Sequence, residues 1–297
     1  MHVAAHEKQP DVRVAPRRFS RARLAAFRAV ERACVLFGGR AFYRARHLAP
    51  GRFLLREERV RVAGLPPALE GFRVAQLSDL HGGGFLGAGD LRHVVAAVEA
   101  LAPDAVALTG DYITHAIEDS FPLVEDLARL RPPHGVWAVF GNHDYKARRE
   151  GELVARLAAR GVRFLRNECA RIAVDGGARG RAWIAFTGLE DLEEGKRVDL
   201  ASARAGLRPG DIEVCLCHNP AGARWLAREG CVAILAGHTH GTQIDWPFLR
   251  TLGPKHPGTR LQLGPTTLLV SRGLGVVGAP LRIGAPAEVV VLRLERA

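Results

Sequence analysis

Phe72-Arg73-Val74-Ala75-Gln76-Leu77-Ser78-Asp79-Leu80-His81-Gly82-Gly83-Gly84 decides how the rest of the chain is read. A run of strand character over 72–78 delivers an acid and an imidazole, one residue apart, into three glycines. Two ligands so spaced can address the same ion at an extended strand end, and the glycines let the backbone approach closely. Alone, Asp-x-His fits a capped turn equally well. Four further strand ends repeat the arrangement: Gly110-Asp111 after 105–109, Gly141-Asn142-His143-Asp144 after 136–140, His218-Asn219 after 212–217, and Gly237-His238-Thr239-His240 after 232–236. Acid, amide and imidazole groups suit hard to borderline divalent cations, and strand ends let distant segments converge. The pattern reads as a two-metal phosphoesterase.

Each motif has a plainer reading when taken singly. Asp111 is the natural bridging carboxylate, one oxygen per ion, yet an Asx-turn also places Asp there. Asn142 offers a neutral carbonyl, and His143, one residue on, can address substrate instead of metal, with Asp144 or Asp79 holding it protonated. A lone histidine such as His218 is commonly a hydrogen-bonded turn residue, with Pro220 opening the next helix. His238 and His240, flanked by glycines, suit ligation of adjacent ions from opposite sides of a bent loop.

Alternating strand and helix predicts a parallel sheet over the first half of the domain, with helices at 90–100 (Asp90 as cap) and 124–130. Later strands are expected at 183–187, 212–217, 232–235, 267–271 and 289–294, with helices at 152–160 and 221–229. A first strand is expected at 59–62. The chain divides into a disordered stretch 1–16, a basic amphipathic helical segment 17–58 and a domain over 59–297. Within the segment, Phe19, Leu24, Phe27, Val30, Cys34 and Phe37 recur at mostly helical spacing over 19–42.

The chain has 297 residues and a net charge of +11. Nine arginines and one glutamate between Arg17 and His47 give +8 locally, leaving 11 − 8 = +3 elsewhere. That helix either packs on the domain with a solvated basic face or lies on an anionic membrane. Nucleic acid ranks third, because no aromatics interleave the arginines. The five cysteines form no metal-binding or disulfide framework, and Cys215 and Cys217 read as buried apolar side chains in a reducing compartment. No run approaches the ~20 apolar residues of a membrane span. Arg17-Arg18-Phe19 faintly resembles a twin-arginine signal, but arginines interrupt its core. The expected location is cytoplasmic, peripheral on the inner membrane face.

In order and context, Asp-x-His, Gly-Asp, Gly-Asn-His-Asp, His and Gly-His-x-His resemble the calcineurin-like metallophosphoesterases over 72 to about 275. Gln243-Ile244 and Ser271-Arg272-Gly273-Leu274-Gly275 resemble a bacterial membrane-associated phosphodiesterase subgroup that includes UDP-diacylglucosamine pyrophosphatases. Thr242 departs from that subgroup, which usually has Gly there. The resemblance implies an α/β fold, a four-layer αββα sandwich of two mixed sheets. It implies one ion on Asp79, His81, Asp111 and His240 and a second on Asp111, Asn142, His218 and His238. His143 would protonate the leaving oxygen, and Arg272 would contact substrate phosphate. Mn²⁺ is favoured over Fe, Zn²⁺ or Mg²⁺. The expected reaction is hydrolysis of a phosphodiester or pyrophosphate in a lipid-linked substrate. A nuclease or cyclic-nucleotide phosphodiesterase is the alternative enzyme, and a metal-retaining phosphate-binding scaffold the non-enzyme alternative.

Overall fold

The computed structural model describes residues 14–15, 20–246 and 255–297. Helices α1 (Arg21–Leu36) and α2 (Gly39–Tyr43) precede two six-stranded mixed sheets. The first has the order β1 (Leu54–Val62), β12 (Glu288–Arg296), β2 (Arg73–Leu77), β3 (Ala105–Thr109), β4 (Val136–Val139), β5 (Val162–Phe164). Strands β2 to β5 run parallel, as expected for that half of the domain, and β12 is antiparallel to β2. The second has the order β10 (Arg260–Leu263), β11 (Thr266–Val270), β9 (Ala233–Ala236), β8 (Ile212–Leu216), β7 (Arg181–Gly188), β6 (Glu168–Asp175). It is parallel except at its two edges.

Residues alternate between two cores along each central strand, which is why those strands read as continuous apolar runs. In β2, Ala75 and Leu77 join the core under α3 (Arg92–Leu101), α4 (Phe121–Leu127) and α5 (Glu150–Ala158), while Val74 joins the core between the sheets. There Trp137 stacks on Phe186, ring centroids 5.7 Å apart. In β8, Val214 and Leu216 face that central core, while Cys215 and Cys217 are buried with α6 (Leu200–Arg204) and α7 (Ala223–Arg228). Helix, sheet, sheet, helix is the four-layer sandwich expected.

The differences lie mainly at edges. Strand β1 begins at Leu54, not residue 59, because its charged stretch Arg56-Glu57-Glu58-Arg59 masks a strand that pairs along its length with β12. Edge strands β6 and β10 were not expected, since outward polar residues weaken the apolar signal. The single helix expected over 19–42 breaks at Gly38 (φ 83°), and Phe19 lies outside the described residues. Asp90 caps nothing by its side chain; it accepts the Gly87 N–H at 2.9 Å and the Arg40 guanidinium at 2.7 Å. The expected disordered stretch 1–16 lies outside the described residues apart from Val14 and Ala15. Val14 packs on the α6–α7 core and donates its N–H to the Leu192 carbonyl at 3.0 Å.

Helix α1 sits on the domain through Cys34 and through Glu31, which pairs with His115 at 2.7 Å. The apolar residues at its end stay open: Leu36 is 83% exposed and Phe37, just beyond it, 91%. Among the described residues no helix is long and apolar enough to cross a membrane.

Candidate metal centre

Every expected ligand lies beyond the C-terminal end of a strand: Asp79 and His81 after β2, Asp111 after β3, Asn142 after β4, His218 after β8, His238 and His240 after β9. The first sheet supplies four of these and the second three, so the site closes across the gap between sheets. Gln76 ties that gap shut nearby, donating to Thr109 Oγ1 at 2.9 Å and to the Ala236 carbonyl at 2.8 Å.

The structure brings these side chains together. His81 Nε2 is 2.9 Å from His240 Nε2, which is 3.4 Å from Asp79 Oδ1. Asp111 Oδ2 is 3.4 Å from His81 Nε2 and 3.4 Å from His218 Nε2. His238 Nδ1 is 3.1 Å from Asn142 Oδ1. Atoms bound to one divalent ion at ~2.0–2.2 Å stand roughly 3 to 3.5 Å apart, so these spacings fit cation shells. His218 makes the fit sharper. Its Nδ1 donates to the Thr109 carbonyl at 2.6 Å, which leaves Nε2 buried without a hydrogen-bond partner and aimed at Asp111. A buried polar atom so exposed to its neighbours' charge is what a cation satisfies.

The backbone is bent to make this possible. Asp79, His81, Asp111, His238 and His240 all have φ between 47° and 70°, the left-handed region that non-glycine residues avoid. Each such residue carries of order 1–3 kcal/mol of strain, sustained by its surroundings. Close approach adds a second demand: a Cβ on Gly237 would stand 2.0 Å from Ser78 Oγ, and one on Gly141 2.2 Å from Asp111 Oδ1.

Electrostatics follow from burial and proximity. Burial raises Asp79 and drives His81 and His240 well below the usual imidazole range. Burial opposes the ionised forms of Asp111 and His218 too, yet their mutual attraction holds Asp111 low and His218 high. The cluster is thus two neutral imidazoles, His81 and His240, beside an ion pair of Asp111 and His218, whose ring must give up a proton to take a cation.

Three details depart from expectation. Asp111 Oδ1 accepts the His143 N–H at 2.8 Å, so Oδ2 alone faces both groups, in place of one oxygen per ion. His143 is steered by neither Asp144 nor Asp79; its Nδ1 donates to the Thr114 carbonyl at 2.9 Å. Burial lowers its pKa to about 4, so the ring is neutral and Nε2 carries the lone pair. Asp144 instead accepts four backbone N–H groups, from Asp111, Tyr112, Ile113 and Gly141, at 2.8 to 3.3 Å. Arg272 pairs with buried Glu288 at 2.7 Å, and its stem packs over Gly241 beside His240.

One participant escaped the sequence reading. Glu193, in the loop after β7, lies 3.1 Å from His238 Nε2 and accepts Asn219 Nδ2 at 3.0 Å. Burial would raise its pKa, but the bond from His238 brings it below the ordinary value. The available signal was four acids in five residues, Glu190 to Glu194, directly after a strand.

The chain can now be set beside known proteins. The transmembrane protein with metallophosphoesterase domain of Bos taurus is 32% identical over 80% of this chain, and the match spans 56% of that protein. The uncharacterized metallophosphoesterase YkuE of Bacillus subtilis (strain 168) is 27% identical, covering 88% of this chain and 92% of its own length. An uncharacterized metallophosphoesterase of Aquifex aeolicus is 27% identical over 82% of this chain and 93% of its own. This chain spans little more than half the bovine relative. Calcineurin-like phosphoesterase is the family that matches residues 72–242, from the approach to β2 to the turn after the last imidazole. By that match the chain belongs to the calcineurin-like phosphoesterases, metal-dependent hydrolases of phosphoric esters.

Proposed function

We propose that this enzyme hydrolyses a phosphodiester or pyrophosphate bond of a lipid-linked substrate at an anionic membrane surface, using two divalent cations, Mn²⁺ by preference. The observation that carries the two-cation reading is Asp111 Oδ2, equidistant at 3.4 Å from His81 Nε2 and His218 Nε2. Asp79, His81 and His240 would hold one cation, Asn142, His218 and His238 the other, with Asp111 shared. When bound, such cations neutralise phosphoryl charge and acidify water. His143, its ring fixed by Thr114, would donate from Nε2 to the leaving oxygen once the charge of a bound phosphate has protonated that nitrogen. Arg272 is the candidate cation for substrate phosphate, braced beside His240 by Glu288.

The membrane part is supported by where apolar surface stays open. Phe27, Val30, Leu36 and Phe37 on and after α1 are exposed among Arg28 and Arg32. Trp246 and Leu281 add further exposed apolar surface, the former six residues past His240. Apolar side chains interleaved with arginine suit an interface of acyl chains and lipid phosphates. The bovine relative's name, a transmembrane protein, agrees with work at a membrane.

The test is hydrolysis by Mn²⁺-reconstituted protein of aryl mono- and diesters, UDP-diacylglucosamine in vesicles and oligonucleotides. The expected order places the lipid substrate first, with Asp111→Asn inactive and His143→Ala slowed by about 10² to 10⁴. Equal turnover by wild type and Asp111→Asn would remove the site; preference for oligonucleotides would replace the lipid reading with nuclease activity.

A further inference from the structure

We infer that Glu193 is a positioning residue that commits His238 to one tautomer and so makes its Nδ1 a cation ligand. A carboxylate only accepts, so His238 Nε2, 3.1 Å from Glu193 Oε1, must carry the hydrogen. In the neutral ring, Nδ1 then bears the lone pair. That atom is the one beside Asn142 Oδ1, at 3.1 Å, where the second group of donors converges.

The same Glu193 oxygen also accepts Asn219 Nδ2 at 3.0 Å, and Asn219 directly follows His218. One carboxylate, its side chain 10% exposed, therefore links the loops that carry two ligands of the same proposed cation. The other group has no equivalent: His81 Nδ1 and His240 Nδ1 are buried without a hydrogen-bond partner. Glu193 is itself held. Asp191 Oδ1 accepts the backbone N–H of Glu193 at 3.0 Å and of Glu194 at 2.8 Å, which fixes the turn that presents Glu193. A charged acceptor on the far nitrogen also makes the ligating nitrogen more basic, and losing such a partner usually lowers metal affinity by about 10- to 100-fold.

The inference rests on the two-cation reading, and the experiment separates the two. Mn²⁺ titration of the full chain by calorimetry, with atomic absorption after desalting, should give two ions for wild type. Glu193→Ala should weaken one of them by about 10- to 100-fold and leave the other within a few-fold. Glu193→Gln keeps an acceptor oxygen and should fall between. Imidazole ¹⁵N spectra of the ion-free protein, at a pH above the ordinary histidine range, should show His238 hydrogenated on Nε2 in wild type and Glu193→Gln, and mixed in Glu193→Ala. Wild type binding fewer than two ions would overturn the parent reading. With two ions in wild type, unchanged affinities and tautomer in Glu193→Ala would overturn this one. So would equal weakening of both ions together with a lowered melting temperature of the ion-free protein, since that is a merely structural effect.

Discussion

Exchanging one oxygen for an NH₂ group, as Asp144→Asn, should unmake the turn that carries Asn142 and His143. Asp144 Oδ2 accepts the N–H of Asp111 at 2.9 Å and of Gly141 at 2.8 Å, and Oδ1 those of Tyr112 at 2.8 Å and Ile113 at 3.3 Å. All four neighbours are donors, so only the ionised carboxylate satisfies them. In either amide orientation, two buried N–H groups would face another donor. Each unsatisfied buried donor costs about 1–3 kcal/mol, which gives a loss of roughly 2–6 kcal/mol. That is a large part of a stability of typically 5–15 kcal/mol. Burial and the Asp111 charge push this carboxyl up to about 8, so the comparison belongs near pH 9, where the carboxylate is ionised. In urea, with a slope near 3 kcal/mol per molar, a loss of about 4 kcal/mol moves the midpoint down by about 1.3 M. Midpoints within about 0.2 M of each other at equal slope would refute the reasoning.

Thr242 holds a β-branched side chain at φ 68° with its hydroxyl buried and unpaired, so Thr242→Gly should stabilise the protein by about 1 kcal/mol in the same melts. Gly237→Ala places a methyl 2.0 Å from Ser78 Oγ and 2.3 Å from Asp79 Oδ2, and should lower both stability and retained metal on atomic absorption. Burial first, then Arg282 and Arg46, lower His47 from 6.5 to about 4. The unfolded chain therefore takes up this proton first; stability present above 6.5 should be lost as pH falls toward 4, by about 3 kcal/mol, and His47→Gln should flatten that slope in acid melts. Leu36→Asp with Phe37→Asp should reduce sedimentation with anionic vesicles while soluble aryl diester hydrolysis stays unchanged; undiminished sedimentation would count against the α1 surface.

What the sequence disclosed and withheld has a physical pattern. Strand ends such as Ser78-Asp79 and Thr109-Gly110-Asp111 were legible because a strand buried on both faces must be apolar, so polar residues at its end stand out. Strand β6, with Arg171 and Asp175 along its edge, carries no such contrast. The orientation of His143 was not legible at all, since a main-chain carbonyl, Thr114, provides it and any residue type has one. Glu193 was hidden differently: its partner lies 45 positions away, and only the sheet order, with β7 beside β8 and β9 next, brings the two loops together.

The donors come from both halves of the sandwich, Asp79, His81, Asp111 and Asn142 from one and His218, His238 and His240 from the other. Cations there would rivet the seam between the sheets. Chelation should then let the halves breathe, and hydrogen exchange should quicken first at the side-chain amide of Gln76, whose bond to the Ala236 carbonyl spans that seam beside the rivets.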